Sequence, residues 1–107
     1  VKVLYIEVPD MNDSVSDISI DNQIYRIRFT YNAKYDFWSF GIRTANDDPI
    51  IEMVRIVPNF PLLHWITDSR LPDGIWGCIS DLEDIGRYAF KNKTAEFVYI
   101  PNSDLEE

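Results

Sequence analysis

Tyr25-Arg26-Ile27-Arg28-Phe29-Thr30-Tyr31, a turn over Asn32 to Asp36, and then Phe37-Trp38-Ser39-Phe40-Gly41-Ile42-Arg43 form the stretch whose reading decides the fold. Successive side chains of an extended chain point to opposite sides, so Tyr25, Ile27, Phe29 and Tyr31 share one face, while Ile24, Arg26, Arg28 and Thr30 share the other. The following run separates in the same way, with Trp38, Phe40 and Ile42 on one face and Phe37, Ser39, Gly41 and Arg43 on the second. Two strands of matching pattern joined by a polar turn predict an antiparallel hairpin whose apolar faces stack.

The same period of two runs outward in both directions. Strands are expected at Val3 to Val8, Val15 to Ile20, Ile24 to Tyr31, Phe37 to Arg43, Ile50 to Val57, Ile75 to Ser80 and Glu96 to Ile100. Turn clusters separate them at roughly 8 to 12 residues, the spacing of an all-β sandwich or barrel. The short link Asp21-Asn22-Gln23 predicts a second hairpin. Ile50 to Val57 reads as nearly continuous apolar sequence interrupted by Glu52 and Arg55, as expected of a strand covered on most of both sides. Pro58 ends that strand because it has no N–H for a ladder. Single helical turns are expected at Leu62 to Trp65 and Asp81 to Arg87, and Pro72-Asp73-Gly74 is a turn signal. The fold class is therefore all-β, an antiparallel sandwich or partly closed barrel of about seven strands with short helical turns, in a single domain over residues 1–107.

Composition bounds function by exclusion. Eighteen acidic against ten basic residues leave a net charge of −8, the wrong sign for collecting phosphates by counterion release. No apolar run approaches the roughly 18 residues that a membrane helix needs. Cys78 is the sole cysteine and His64 the sole histidine, so neither a disulfide nor a thiolate or multi-histidine metal site can form within one chain. Trp76-Gly77 and Ile79 flank Cys78 as they would a small buried strand residue with an inert thiol. No secretory signal is recognisable, which makes cytoplasmic synthesis the expectation.

Catalytic frames are equally thin. Ser80, His64 and Asp81 offer the residue types of a triad, but the Gly-x-Ser-x-Gly elbow is missing. Asp68 with Asp73, or Asp81 with Asp84, could serve as a hydrolytic carboxylate pair, yet a chain this acidic supplies such pairs by chance. Asp10, Asn12 and Ser14 start like a calcium loop, but Val15 stands where glycine is required. The isolated glycines form no phosphate-binding loop. No enzyme, cofactor or metal is therefore expected.

The aromatic content, 14% of the chain, exceeds what one small core needs. Tyrosine, tryptophan and arginine left at the surface suit a protein contact. Arg26, Arg28, Arg43 and Arg55 interleave with aromatics and are placed to pair with acids of neighbouring strands or chains. Leu62, Leu63, His64 and Trp65 lie between prolines and outside any alternation, so they either cap the core or meet a neighbour. These eight residues form the candidate partner interface. A carbohydrate-binding β-sandwich is the alternative, drawing on exposed tryptophan and tyrosine.

Tyr25 to Asn32 followed by Trp38, then Pro49-Ile50-Ile51, Arg55-Ile56-Val57-Pro58, Leu62-Leu63, Leu71-Pro72-Asp73-Gly74 and a closing Val98-Tyr99-Ile100 resembles, as an ordered succession, the baseplate plug family of contractile-tailed bacteriophages. The resemblance is strongest over residues 20–100. It implies a non-enzymatic virion protein at the centre of the baseplate, near the hub and the start of the tail tube, that helps close or organise the axial channel. It also implies other baseplate proteins (hub, spike, tail tube or tube initiator) as partners, in a symmetric oligomeric assembly. The Asp81 to Asn92 loop departs from the glycine-rich loop of that family. An acidic channel wall would keep DNA phosphates from sticking.

At physiological salt, fluorescence anisotropy should show duplex DNA bound no more tightly than by ordinary nonspecific binders, roughly 10⁻⁴ to 10⁻⁶ M. Submicromolar affinity with a steep salt slope would reveal a basic patch and contradict the charge argument.

Overall fold

The computed structural model describes residues 3–20, 22–59, 61–63, 69–72 and 74–101. Seven strands are present: β1 (Leu4–Ile6), β2 (Asp13–Ile20), β3 (Gln23–Asn32), β4 (Phe37–Thr44), β5 (Pro49–Arg55), β6 (Gly74–Ser80) and β7 (Ala95–Pro101). They form two antiparallel sheets, one ordered β1-β7-β6 and the other β2-β3-β4-β5. Each expected strand is present, with bounds displaced by at most two residues.

Turn chemistry explains the hairpins. Ile20 pairs with Gln23, leaving two residues in the loop, of which Asn22 holds a φ of 66°. At the next hairpin the Asn32 carboxamide oxygen accepts from the backbone N–H groups of Lys34 and Tyr35, and Asp36 closes the turn at a φ of 55°. Asparagine and aspartate tolerate this left-handed region better than most side chains, because their short polar groups bond locally.

The inner faces are those read from the alternation. Tyr25, Ile27 and Phe29 on β3, and Trp38, Phe40 and Ile42 on β4, are all buried. From the opposite sheet come Trp76 and Cys78 on β6, and Phe97 and Tyr99 on β7. Phe29 and Phe40 are cross-strand partners, and the Phe97 ring stands edge-on to both, with centroids at 5.1 and 5.0 Å. Trp76 extends this cluster to Tyr99 at 5.0 Å. Gly74 is required there, since a Cβ on it would lie 2.5 Å from the Tyr99 ring. Cys78 is 1% exposed, and burial pushes its thiol up to about 12, as the inert reading requires.

Three expectations need correction. No ladder joins β1 to β2 or β5 to β6, so the sheets do not close into a barrel. The chain crosses between them at corners; after β5, Ile56 N–H still donates to Trp38 O, but Asn59 and Leu62 donate to Cys78 O and Trp76 O on the other sheet. Next, β5 is not covered on both sides. It is an edge strand with Glu52, Met53 and Arg55 exposed, and irregular pairing with β4 places Met53 at a φ of 50°. A bulge of this kind re-aims side chains, which is why the apolar run does not mark a central strand. Lastly, no helical segment occurs among the described residues. Asp81 to Asp84 form bends, and overlapping turns follow over residues 86–94. The turn expected at Leu62 to Trp65 falls partly outside the described residues.

Replacing Phe29 by Ala should cost about 3–5 kcal/mol of stability, because it removes the ring that meets Phe97. Val15→Ala on the exposed face should stay within roughly 0.5 kcal/mol. Urea unfolding of both variants checks the pair, and similar costs would contradict the assigned faces.

Candidate partner-binding face

The four arginines named from the sequence share the outer face of the β2-β3-β4-β5 sheet. Arg26 lies opposite Arg43, Arg28 opposite Gly41, and Arg55 opposite Ser39. Like charges facing each other across β3 and β4 would repel, so the surrounding acids decide whether the arrangement holds. Arg28 makes a fork to Asp13 on β2, with Nε to Oδ1 at 2.8 Å and Nη2 to Oδ2 at 2.6 Å. Arg26 donates from Nε to Asp17 at 3.1 Å and lies 3.6 Å from Asp47. Arg43 meets Glu52 at 3.2 Å and also donates to the Asp47 backbone carbonyl. Arg55 instead sets its guanidinium 4.7 Å from the centre of the Phe37 ring.

A ladder of alternating sign thus runs Glu52, Arg43, Asp47, Arg26, Asp17 across the sheet. Arg26, Arg28 and Arg43 were legible in the sequence as one face of two strands. Their acids required the register, because Asp13 and Asp17 reach their arginines only when β2 folds back on β3. Asp47 depends on a left-handed turn at φ 68° after β4. An open groove of about 600 Å³ lies along this face, lined in part by Val15, Arg28 and Met53, with Gly41 on its floor. A Cβ on Gly41 would stand 3.0 Å from the Ile51 carbonyl oxygen, so a larger residue would push the bulged β5 away from β4.

The remaining candidate residues lie elsewhere. Leu62 and Leu63 are 2% and 7% exposed and belong to the core, in agreement with the capping reading. His64 and Trp65 fall outside the described residues. The sugar-binding alternative draws on exposed tryptophan and tyrosine; among the described residues Trp38 and Trp76 are buried, while Tyr5, Tyr35 and Tyr88 are exposed.

A second polar cluster escaped sequence reading. Arg87, in the loop between β6 and β7, donates to Asp10 at 2.8 Å and to Asn12, while its guanidinium lies 5.7 Å from the Trp38 ring. Lys91 joins Asp10 at 3.3 Å. Trp38 Nε1 donates to Gly86 O at 3.0 Å, and Phe90 packs edge-on to the same indole. These contacts pin the acidic Asp81 to Asn92 loop over the open end of the core. Separations of more than 70 residues between Arg87 and its partners left no local signal.

Two packed antiparallel sheets with a charge-laddered outer face define a small all-β protein. A family model described as cyanophage baseplate Pam3 plug gp18 matches residues 3–102, and the chain belongs to that family of phage baseplate structural proteins. The match also takes in β1 and β2, which lie before the part where the sequence resemblance was strongest. No curated protein matches the chain. Among the described residues no helix is long and apolar enough to cross a membrane.

The Arg28 hydrogen bonds hold the Asp13 carboxyl below its ordinary 3.8. A lowered folded value means that the contribution is complete above the unfolded value and disappears as pH falls through the folded one. Arg28→Ala should therefore return Asp13 to the ordinary range in an NMR pH titration. Both groups are about half exposed, so the stability change at neutral pH should be roughly 0–1 kcal/mol. An unmoved Asp13 titration would show that the fork does not persist in solution.

Proposed function

We propose that this protein is the plug of a contractile phage tail, seated at the centre of the baseplate near the hub and the first ring of the tail tube. There it helps close or organise the axial channel without catalysing a reaction. The observation that carries this reading is the family match over residues 3–102. The structure supplies a compatible means of contact, in which the arginine and acid ladder of the β2-β5 sheet meets hub, spike or tube chains. Such charged, register-defined surfaces set orientation and exclude wrong partners, while repetition around a symmetric ring multiplies modest affinities. Synthesis in the host cytoplasm and incorporation into the virion follow from this role. The net charge of −8 would let DNA pass the plug without sticking.

Electron cryomicroscopy of tails should place the chain on the baseplate axis, and Arg26→Ala combined with Arg43→Ala should lower its incorporation by at least about tenfold, or 1.4 kcal/mol of binding. Melting of the isolated variant should stay close to wild type, because exposed ion pairs contribute little to stability. Density confined to peripheral wedges would refute the plug reading. Unchanged incorporation of the double variant would move the contact to another face.

A further inference from the structure

We propose that the free edge of β2 is a strand-addition site for an extended segment of a partner protein that carries basic, apolar and basic residues at alternate positions. This inference rests on the plug reading and assigns the mode of contact. Tyr31 N–H donates to Asn12 O at 2.7 Å, and these residues continue the β2–β3 register as a directly opposed, hydrogen-bonded pair. Antiparallel pairs alternate between bonded and non-bonded. Ser14, Ser16 and Ile18 therefore bond to β3, while the N–H and C=O groups of Asp13, Val15, Asp17 and Ser19 point away from it.

No described residue pairs with that side of β2. The other edges are short, interrupted or covered. β1 has three residues; β5 begins with Pro49 and is bulged; β6 is flanked by the hydrogen bonds of Asn59 and Leu62. β2 has eight residues in unbroken register, with neither proline nor lysine. Of the devices that ordinarily keep a sheet edge from recruiting another strand, it carries only the charges of Asp13 and Asp17, both paired with arginines of β3.

Charge selects the occupant. The ladder across the sheet ends at its edge on acids, Asp17 beyond Arg26 and Asp13 beyond Arg28, with Val15 exposed between them. The next strand continues the alternation if it places lysine or arginine opposite each aspartate and an apolar residue opposite Val15. Main-chain bonds then supply affinity and these side chains supply specificity. A second copy's β2 would bring its own two aspartates to the same edge, where like charges repel.

Val15→Pro removes one free-edge N–H and leaves the β3 ladder intact, a position where an edge strand tolerates proline. The variant should melt within a few degrees of wild type and enter tails at least about tenfold less, the factor that 1.4 kcal/mol sets. Asp13→Asn with Asp17→Asn should fold and also enter poorly. Should Val15→Pro not fold, hydrogen exchange of the wild-type chain decides, since the Val15, Asp17 and Ser19 amides should slow at least about tenfold on assembly. Folded Val15→Pro that incorporates like wild type, or amides that exchange unchanged in tails, overturns the edge site alone. Wild-type chain missing from purified tails overturns the plug reading, and this inference with it.

Discussion

The edge-on contact of Phe97 with the Phe29–Phe40 pair is the constraint on which the rest of the molecule depends. The two sheets share no backbone ladder, so apart from the corner hydrogen bonds of Asn59 and Leu62 to β6, side chains hold them face to face. Edge-to-face rings are directional as well as apolar, and they set the spacing and relative rotation of the sheets in a way that simple burial does not. Phe97 sits near the middle of β7, and the rings on either side of it, Trp76 and Tyr99, continue the cluster along the second sheet.

With the core so arranged, its ends must be sealed by chain that is not strand. The corner after β5 brings in Ile56, Leu62 and Leu63, and the side-chain amide of Asn59 bonds to the Ser80 backbone at 2.6 Å. Beside it, Ile85, Ala89 and Phe90 come in from the loop that starts after Ser80, which Arg87 ties to Asp10. Segments rich in acid or proline, unpromising as structural elements, thus bury apolar residues because the sandwich leaves its ends open.

The inner faces of β3 and β4 are filled by aromatics, which leaves their outer faces to polar side chains. Arg26 and Arg28 can occupy that surface because the hairpins bring Asp13, Asp17 and Asp47 beside them. They add little to stability, since each pair is screened by water, and orientation and partner choice are the use proposed for them. A baseplate component benefits from this separation of roles. Its contacts can be specific and reversible during assembly while the fold rests on the buried rings.

Strand positions, the two faces of β3 and β4, the hairpin at Asn22 and the buried Cys78 were determined by sequence alone. Each follows from alternation or turn chemistry within a few residues, where the local backbone dictates which way a side chain points. The same alternation put Arg26, Arg28 and Arg43 on one surface. Tertiary structure decided whether the sheet closed, which strands lay at its edges, and which acids met which arginines. Ile50 to Val57 shows the reason. A continuous apolar run fits a central strand and a bulged edge equally well, and only pairing with β4 separates them. Arg87 and Asp10 show the limit most plainly, since no periodic signal can reach across more than 70 residues until two sheets have packed and brought their ends together.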